Sequence, residues 1–198
     1  MKKLCLLLLT LILVACGTDR HHFEIDGRLT NLNQGEFYVY SPDGGIEGLD
    51  TIKVEGGRFS YEIPCERECL LVVVFPNFSE QPVFAQPGKS IDIKGDASHL
   101  KELEITGSDD NELMTKFRHA IANASPPEIE KHVGLFVSDH AESPVGPYLV
   151  SKYLLRKPQP DYKQAYRLLL SLQSHQPRNA YLNRLLVQTK PLTEASFG

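Results

Sequence analysis

Cys65 and Cys69 are the residues whose type and spacing point most directly to chemistry. They stand in Pro64-Cys65-Glu66-Arg67-Glu68-Cys69, a C-x3-C spacing between two strand-like runs. Redox-active thioredoxin-type pairs instead use C-x-x-C at the start of a helix, where the helix dipole lowers the thiol pKa. A structural disulfide that clamps a loop is the preferred interpretation. Two free buried thiols, a redox site and a two-cysteine metal site remain the alternatives.

Cys16 is a second cysteine in a distinctive setting. Lys2 and Lys3 precede an uncharged, leucine-rich run that is shorter than the roughly 20 apolar residues of a spanning helix and is typical of a signal peptide. The run ends in Leu13-Val14-Ala15-Cys16, which resembles the lipobox of bacterial lipoproteins. We therefore predict cleavage before Cys16, lipid on its thiol, and attachment to a membrane. Gly17 in place of an inner-membrane retention Asp favours the outer membrane.

The remaining polar residues do not form a recognisable catalytic or metal-binding pattern. The sequence contains no G-x-S-x-G, no H-E-x-x-H and no EF-hand loop. Asp109, Asp110 and Glu112 follow Ser108 and are typical of the first turn of a helix. We therefore expect a protein that is not an enzyme and holds no metal or cofactor.

Aromatic residues supply a candidate contact surface. The strand-like run Phe37-Tyr38-Val39-Tyr40 has aromatic rings on both faces, and Phe75-Pro76-Asn77-Phe78 reads as a loop. Core and sheet-edge packing is the simpler interpretation. The alternative is that Tyr38, Tyr40, Phe75 and Phe78 contact a protein partner or a glycan, since aromatic rings give contact area at low entropy cost.

The order of elements predicts an α+β chain. Eight short apolar or alternating runs between residues 23 and 106, separated by Gly and Pro, predict an antiparallel β-sandwich. Five amphipathic segments with helical spacing follow from Ser108. The predicted divisions are a signal peptide (1–15), a lipidated tether (16–22), a β-sandwich domain (23–107), a C-terminal helical domain (108–190) and a tail (191–198).

Several motifs in this order resemble a known family. Their shared features are turn glycines and core aromatics, and they are Phe23–Gly27, Asp50–Phe59, Pro87–Asp96, Gly107-Ser108 with Asn111, and Phe136–Val145. Together they are similar to the N-terminal domain of unknown function of thioredoxin-like envelope lipoproteins of Bacteroidota. The entry strand and C-x-x-C of the thioredoxin module are not seen after residue 190. The resemblance therefore implies envelope location and a β-then-α architecture, but no reductase activity and no functional residue.

These observations favour a lipid-anchored envelope protein with a binding or scaffolding role. The expected partners are the membrane, through the lipid on Cys16, and another envelope protein. Nucleic acid is not expected, because the net charge of −4 lacks the clustered cations that displace counterions. The rival functions are an accessory to a separate thioredoxin-like oxidoreductase and a glycan- or nutrient-binding lipoprotein.

Overall fold

The computed structural model describes residues 19–195, in which strands come first and helices follow. The eight strands are β1 (His22–Thr30), β2 (Gln34–Tyr40), β3 (Leu49–Glu55), β4 (Arg58–Pro64), β5 (Cys69–Val74), β6 (Glu80–Ala85), β7 (Ser90–Asp96) and β8 (Glu104–Thr106). The five helices are α1 (Asp109–Ala120), α2 (Pro126–Asp139), α3 (Val145–Val150, continuing as a π turn over Ser151–Leu155), α4 (Tyr162–Gln173) and α5 (Ala180–Ala195). The predicted α+β class is confirmed. Residues 191–195 belong to α5 rather than to a C-terminal tail.

The predicted sandwich is not confirmed, because all eight strands form one sheet in the order β6-β5-β2-β3-β4-β1-β7-β8. Most pairs are antiparallel, but β1 also pairs in parallel with β7. The sheet curls into a half-barrel, and alternate residues of every strand point into its concave side. A curled sheet buries this apolar face against itself, so a second sheet is not needed to cover it.

Strands β5 and β6 differ from the others because both of their faces are buried. Leu71 and Val73 belong to the core inside the half-barrel, whereas Leu70 and Val72 pack with the helices on the outer side. Phe84 of the neighbouring strand β6 joins the same outer cluster. This double burial explains the continuous apolar run of β5, since a strand covered on one face only would alternate. The outer faces of β5 and β6 therefore form one hydrophobic cluster with the helices.

Helix α1 lies against both edges of the sheet. At the β6 edge, Asn111 Oδ1 accepts from the Phe84 N–H (3.0 Å) and Asn111 Nδ2 donates to the Phe84 carbonyl (2.9 Å). At the β8 edge, Arg118 donates to the Leu103 carbonyl and Thr115 donates to the Ile105 carbonyl. Exposed strand edges pair readily with other chains. Side chains of α1 instead bond to both edges of the sheet and bridge the gap between them, which we call the seam of the half-barrel.

The helix starts follow the capping signals only in part. The Asp161 side chain accepts from the Gln164 N–H and caps α4, as its position predicts. Helix α1 begins after Ser108, but the Ser108 hydroxyl makes no capping bond. It accepts instead from Asn111 Nδ2 at 2.7 Å. The Ser108 side chain therefore supports the closure of the β6 edge.

Candidate functional site

A cleft of about 480 Å³ opens at the end of the half-barrel where strands β2, β4 and β6 finish. We call it the end cleft. The loops after these strands form one wall, and the α4–α5 loop with the start of α5 forms the other. Its floor is largely apolar and contains Leu70, Phe84, Ala85 and Pro144. Charged side chains of both signs surround this floor, among them Arg67, Glu68, Glu142 and Arg178.

Asp43 fixes the β2–β3 loop at the end cleft. Its side chain is buried, with one carboxylate oxygen accepting from the Ser41 hydroxyl (2.6 Å) and the other from the Leu70 N–H (3.0 Å). Arg67 from the β4–β5 loop donates to the Asp43 carbonyl (3.0 Å). The β2–β3 loop is also held from the helical side, because Arg184 donates to the carbonyl of Pro42. These bonds give the wall a fixed shape.

The opposite wall is ordered by Gln176, which is buried in the α4–α5 loop. Its Nε2 donates to the carbonyls of Ala141 (2.7 Å) and Ser143 (2.9 Å), and its Oε1 accepts from Asn179 Nδ2 (2.8 Å). Both of its amide donors and its amide oxygen are therefore bonded within the protein. Gln176 therefore holds the wall of the cleft in place, and the polar groups that can contact a ligand are those of the rim.

Asp110 links α1 to the same region. Its carboxylate accepts from the Ser143 hydroxyl (2.6 Å) and from Gln86 Nε2 (3.2 Å), and Gln86 lines the cleft. Burial raises the pKa of Asp110 above its usual value, although the bond from Ser143 opposes this rise. The sequence predicted this residue only as a helix-capping charge.

The two cysteines of the C-x3-C motif lie together at the foot of the end cleft. Both are buried free thiols in hydrogen-bonding contact with each other, and Cys69 lines the cleft. The Cys65 thiol also donates to the Arg67 carbonyl (3.3 Å). Burial raises the pKa of Cys65, and it raises the pKa of Cys69 to about 12. Both groups are therefore held as thiols at neutral pH, while the predicted disulfide remains a prediction.

The predicted aromatic contact surface divides into exposed and buried parts. Phe78 is 87% exposed and Tyr38 is 45% exposed, so both reach solvent. Phe75 is buried, with its ring centroid 4.8 Å from that of Phe37, and its inclusion in a contact surface was wrong. The turn sends its ring back into the half-barrel. Tyr40 is half-buried and donates to Glu80 (3.1 Å).

Other sequence predictions fall outside these contacts. Cys16 and the signal peptide lie outside the described residues. Between residues 19 and 195, no group of three or more His, Cys, Asp or Glu side chains is placed to hold a metal ion. In the same range, no helix is both long enough and apolar enough to cross a membrane.

Sequence reasoning did not find the end cleft, because its walls come from loops that are far apart along the chain. The polar residues that shape it, Asp43 and Gln176, stand in loop segments where a polar residue gives no signal. Asn111 did carry a signal, since it formed part of one motif of the resemblance. Its hydrogen bonds to Phe84 now give that position a structural reason.

Comparison with known proteins gives one match. Residues 23–114 match a family model described as a domain of unknown function (DUF4369). The matched range contains the eight strands, apart from the first residue of β1, and the first half of α1, including Asn111. No curated protein and no solved structure matches the chain. The predicted similarity to a domain-of-unknown-function family is therefore confirmed for this range, and the match itself carries no activity.

Proposed function

We propose that the protein is a lipid-anchored envelope lipoprotein that binds a partner protein through the end cleft without catalysing a reaction. The observation that carries this proposal is the cleft itself, an apolar floor with a rim of mixed charge. Proteins usually bind their ligands in concave, largely apolar sites that carry a few polar groups. A partner segment with one apolar side chain and flanking polar groups suits the floor and the rim.

The position of the N-terminal segment supports the anchored arrangement. The carbonyl of His21 accepts from the Cys65 N–H (2.6 Å), and the His21 ring lies 3.1 Å from Glu66. The segment that follows Cys16 therefore joins the fold at the same end as the cleft. Asp19 is three positions after Cys16 in the chain, a distance of about 11 Å at most. With lipid on Cys16, the end cleft would lie close to the membrane surface.

The chemistry of the cleft favours binding over catalysis. Cys69 is the most nucleophilic residue type in its lining, but burial keeps its thiol protonated. Asp43 and Gln176 have their polar groups occupied by bonds within the protein. The exposed rim charges of Arg178 and Glu142 remain available to a partner.

Site-specific photo-crosslinking in cells tests the binding role. A benzoylphenylalanine in place of Arg178, on the rim, should capture a partner, whereas the same residue in place of Arg167, on the exposed face of α4, should not. Ala180→Trp should fill the cleft and abolish the crosslink from position 178. Equal capture at both positions, or capture unaffected by Ala180→Trp, would contradict the proposal.

The lipid anchor has a separate test. Metabolic labelling with an alkyne fatty acid should mark the wild-type protein and leave Cys16→Ser unlabelled and released from the membrane fraction. Cys5→Ser provides the matched control, since its cysteine lies within the predicted signal peptide. Equal labelling of the Cys16→Ser variant would refute the anchor.

A second function is favoured by the contact between Cys65 and Cys69. Two thiols in contact beside a cleft suit an accessory that exchanges electrons with a separate thioredoxin-like protein, the domain context that the resemblance implies. In that exchange, the Cys65–Cys69 disulfide would be reduced to two thiols while the partner's dithiol becomes a disulfide. Insulin reduction by residues 17–198 that is lost in Cys65→Ser would establish this function and overturn the purely binding role.

A further inference from the structure

The two free thiols at the foot of the end cleft have no part in the binding of a partner protein. Both Cys65 and Cys69 are buried, and their thiols contact each other. Cys69 also lines the end cleft, which opens to solvent. The pair is therefore shielded from bulk water, but a small ion that enters the cleft can reach it.

The backbone holds both cysteines in place. The Cys65 N–H donates to the carbonyl of His21 (2.6 Å), and Cys69 is paired with Ala85 of β6 at the start of β5. The Cys69 side chain packs against the backbone of Gly45, where an added Cβ would lie 2.4 Å from the Cys69 sulfur. Only glycine at position 45 leaves room for this sulfur. A ligand that joins the two sulfurs therefore finds them already ordered, which lowers the cost of binding.

Two sulfur donors without further ligands select one class of metal ion. Within residues 19–195, no group of three or more His, Cys, Asp or Glu side chains could hold a metal ion. Zinc almost always takes four ligands in structural sites, and calcium and magnesium prefer oxygen ligands. Cu(I) prefers soft sulfur ligands and is stable with two of them. The donor set therefore suits Cu(I) and none of the harder ions.

We propose that Cys65 and Cys69 bind one Cu(I) ion between their sulfur atoms. Binding forms two Cu–S bonds and releases both thiol protons to solvent, while copper and sulfur keep their oxidation states. A first-row metal such as zinc lies about 2.3 Å from a thiolate sulfur, so two sulfurs on opposite sides of an ion are about 4.6 Å apart. Thiols in contact reach this separation by a small outward movement. A disulfide instead requires them to approach to about 2.05 Å.

Burial and charge around the pair agree with this ligand. Burial raises the pKa of both thiols, so only an ion with a strong preference for sulfur displaces their protons. The complex of Cu(I) with two thiolates carries one negative charge. The Arg67 guanidinium acts on both thiols in the direction that favours their ionised forms. Arg67 therefore supplies a counter-charge for the complex.

Two carboxylates act against the complex. Asp43 disfavours the ionised form of Cys69, and Glu66 disfavours that of Cys65. The Asp43 carboxylate already accepts two hydrogen bonds within the protein, and the Glu66 side chain is exposed, so water screens its charge. Both effects are therefore reduced, and they do not cancel the gain from two Cu–S bonds.

Anaerobic competition with bathocuproine disulfonate tests the proposal on the reduced protein, residues 17–198. This form contains no cysteines besides the pair, since Cys5 and Cys16 lie outside it. We expect one Cu(I) per chain, taken from the competitor. Cys65→Ser and Cys69→Ser should each lower the affinity by more than about a hundredfold, because loss of a direct ligand exceeds the effect of losing an outer partner. Zinc should not compete with Cu(I) for the site.

Two controls separate metal binding from folding and from net charge. Without copper, the thermal midpoint of Cys65→Ser should stay close to that of the wild type, whereas Cu(I) should raise the midpoint of the wild type only. Arg67→Gln should weaken Cu(I) binding about tenfold, and Arg167→Gln, which changes the net charge equally on α4, should bind as the wild type. No uptake of Cu(I) by the reduced wild type, or equal uptake by both serine variants, would overturn the proposal. The partner protein of the end cleft does not enter this test.

Discussion

Asn111→Ala gives the sharpest test of how the half-barrel is closed. Asn111 is 1% exposed, and its side chain satisfies both the N–H and the carbonyl of Phe84, which is itself buried. Alanine leaves these two backbone groups without partners in a site that water does not reach. A buried polar group left unsatisfied costs about 1–3 kcal/mol. The two groups together therefore predict a loss of about 2–6 kcal/mol in the free energy of unfolding.

This loss is large relative to the whole, because domains of this size are typically stable by about 5–15 kcal/mol. Urea unfolding followed by far-ultraviolet circular dichroism measures it directly. Asn183→Ala is the matched control, since Asn183 is half-exposed and donates one bond to the Pro177 carbonyl (3.0 Å). One such bond contributes about 1 kcal/mol, part of which the helix propensity of alanine offsets.

Hydrogen exchange provides an independent readout of the same prediction. The Phe84 amide should exchange faster in Asn111→Ala under native conditions, while the amides at the centre of the sheet keep their protection. A cost for Asn111→Ala no larger than that for Asn183→Ala, with unchanged exchange at Phe84, would refute the closure of the β6 edge by α1.

Three further predictions concern strain, charge and thiol chemistry. Phe78 has a φ of 62° and its ring is 87% exposed. Because asparagine tolerates this backbone conformation better, Phe78→Asn should raise the free energy of unfolding by about 1 kcal/mol in a urea titration. A lower stability of the variant would contradict the strain at this position. Burial raises the pKa of Asp110, so its ionisation opposes folding as the pH rises above the ordinary value of 3.8. Asp110→Asn should therefore gain stability over the wild type between pH 4 and pH 7, and a gain that does not grow with pH would argue against this. Cys65 and Cys69 should resist iodoacetamide at pH 8 in the reduced native protein and react in urea, as mass spectrometry can show; rapid native labelling would contradict their burial.

Much of the secondary structure could be predicted from local patterns. Alternation in β1 and β7 and the Glu55-Gly56-Gly57-Arg58 turn correctly indicated strands and a hairpin, because these signals act over a few neighbouring residues. The Asp161 cap was predictable for the same reason. The single curled sheet was not, since one-sided burial is equally consistent with two packed sheets and with one sheet that closes on itself.

The candidate sites depended on long-range pairing and were therefore less accessible. The parallel pairing of β1 with β7, for example, leaves no local sequence signal. Phe75 and Phe78 are three residues apart in one turn, yet one ring is buried and the other is exposed. Both are phenylalanines in one turn, so the sequence predicts the same exposure for both. Only the path of the backbone makes one ring buried and the other exposed.

The closure of the seam by α1 also determines where the chain can be divided. A cut after residue 107 separates the strands from Asn111, Thr115 and Arg118, and it leaves both sheet edges unpaired. A fragment that ends there should self-associate, whereas one that continues through α1 carries its own edge protection. A boundary drawn where the strands stop thus separates the sheet from the helix that protects both of its edges, and the later helices are still needed to cover the outer face of β5 and β6.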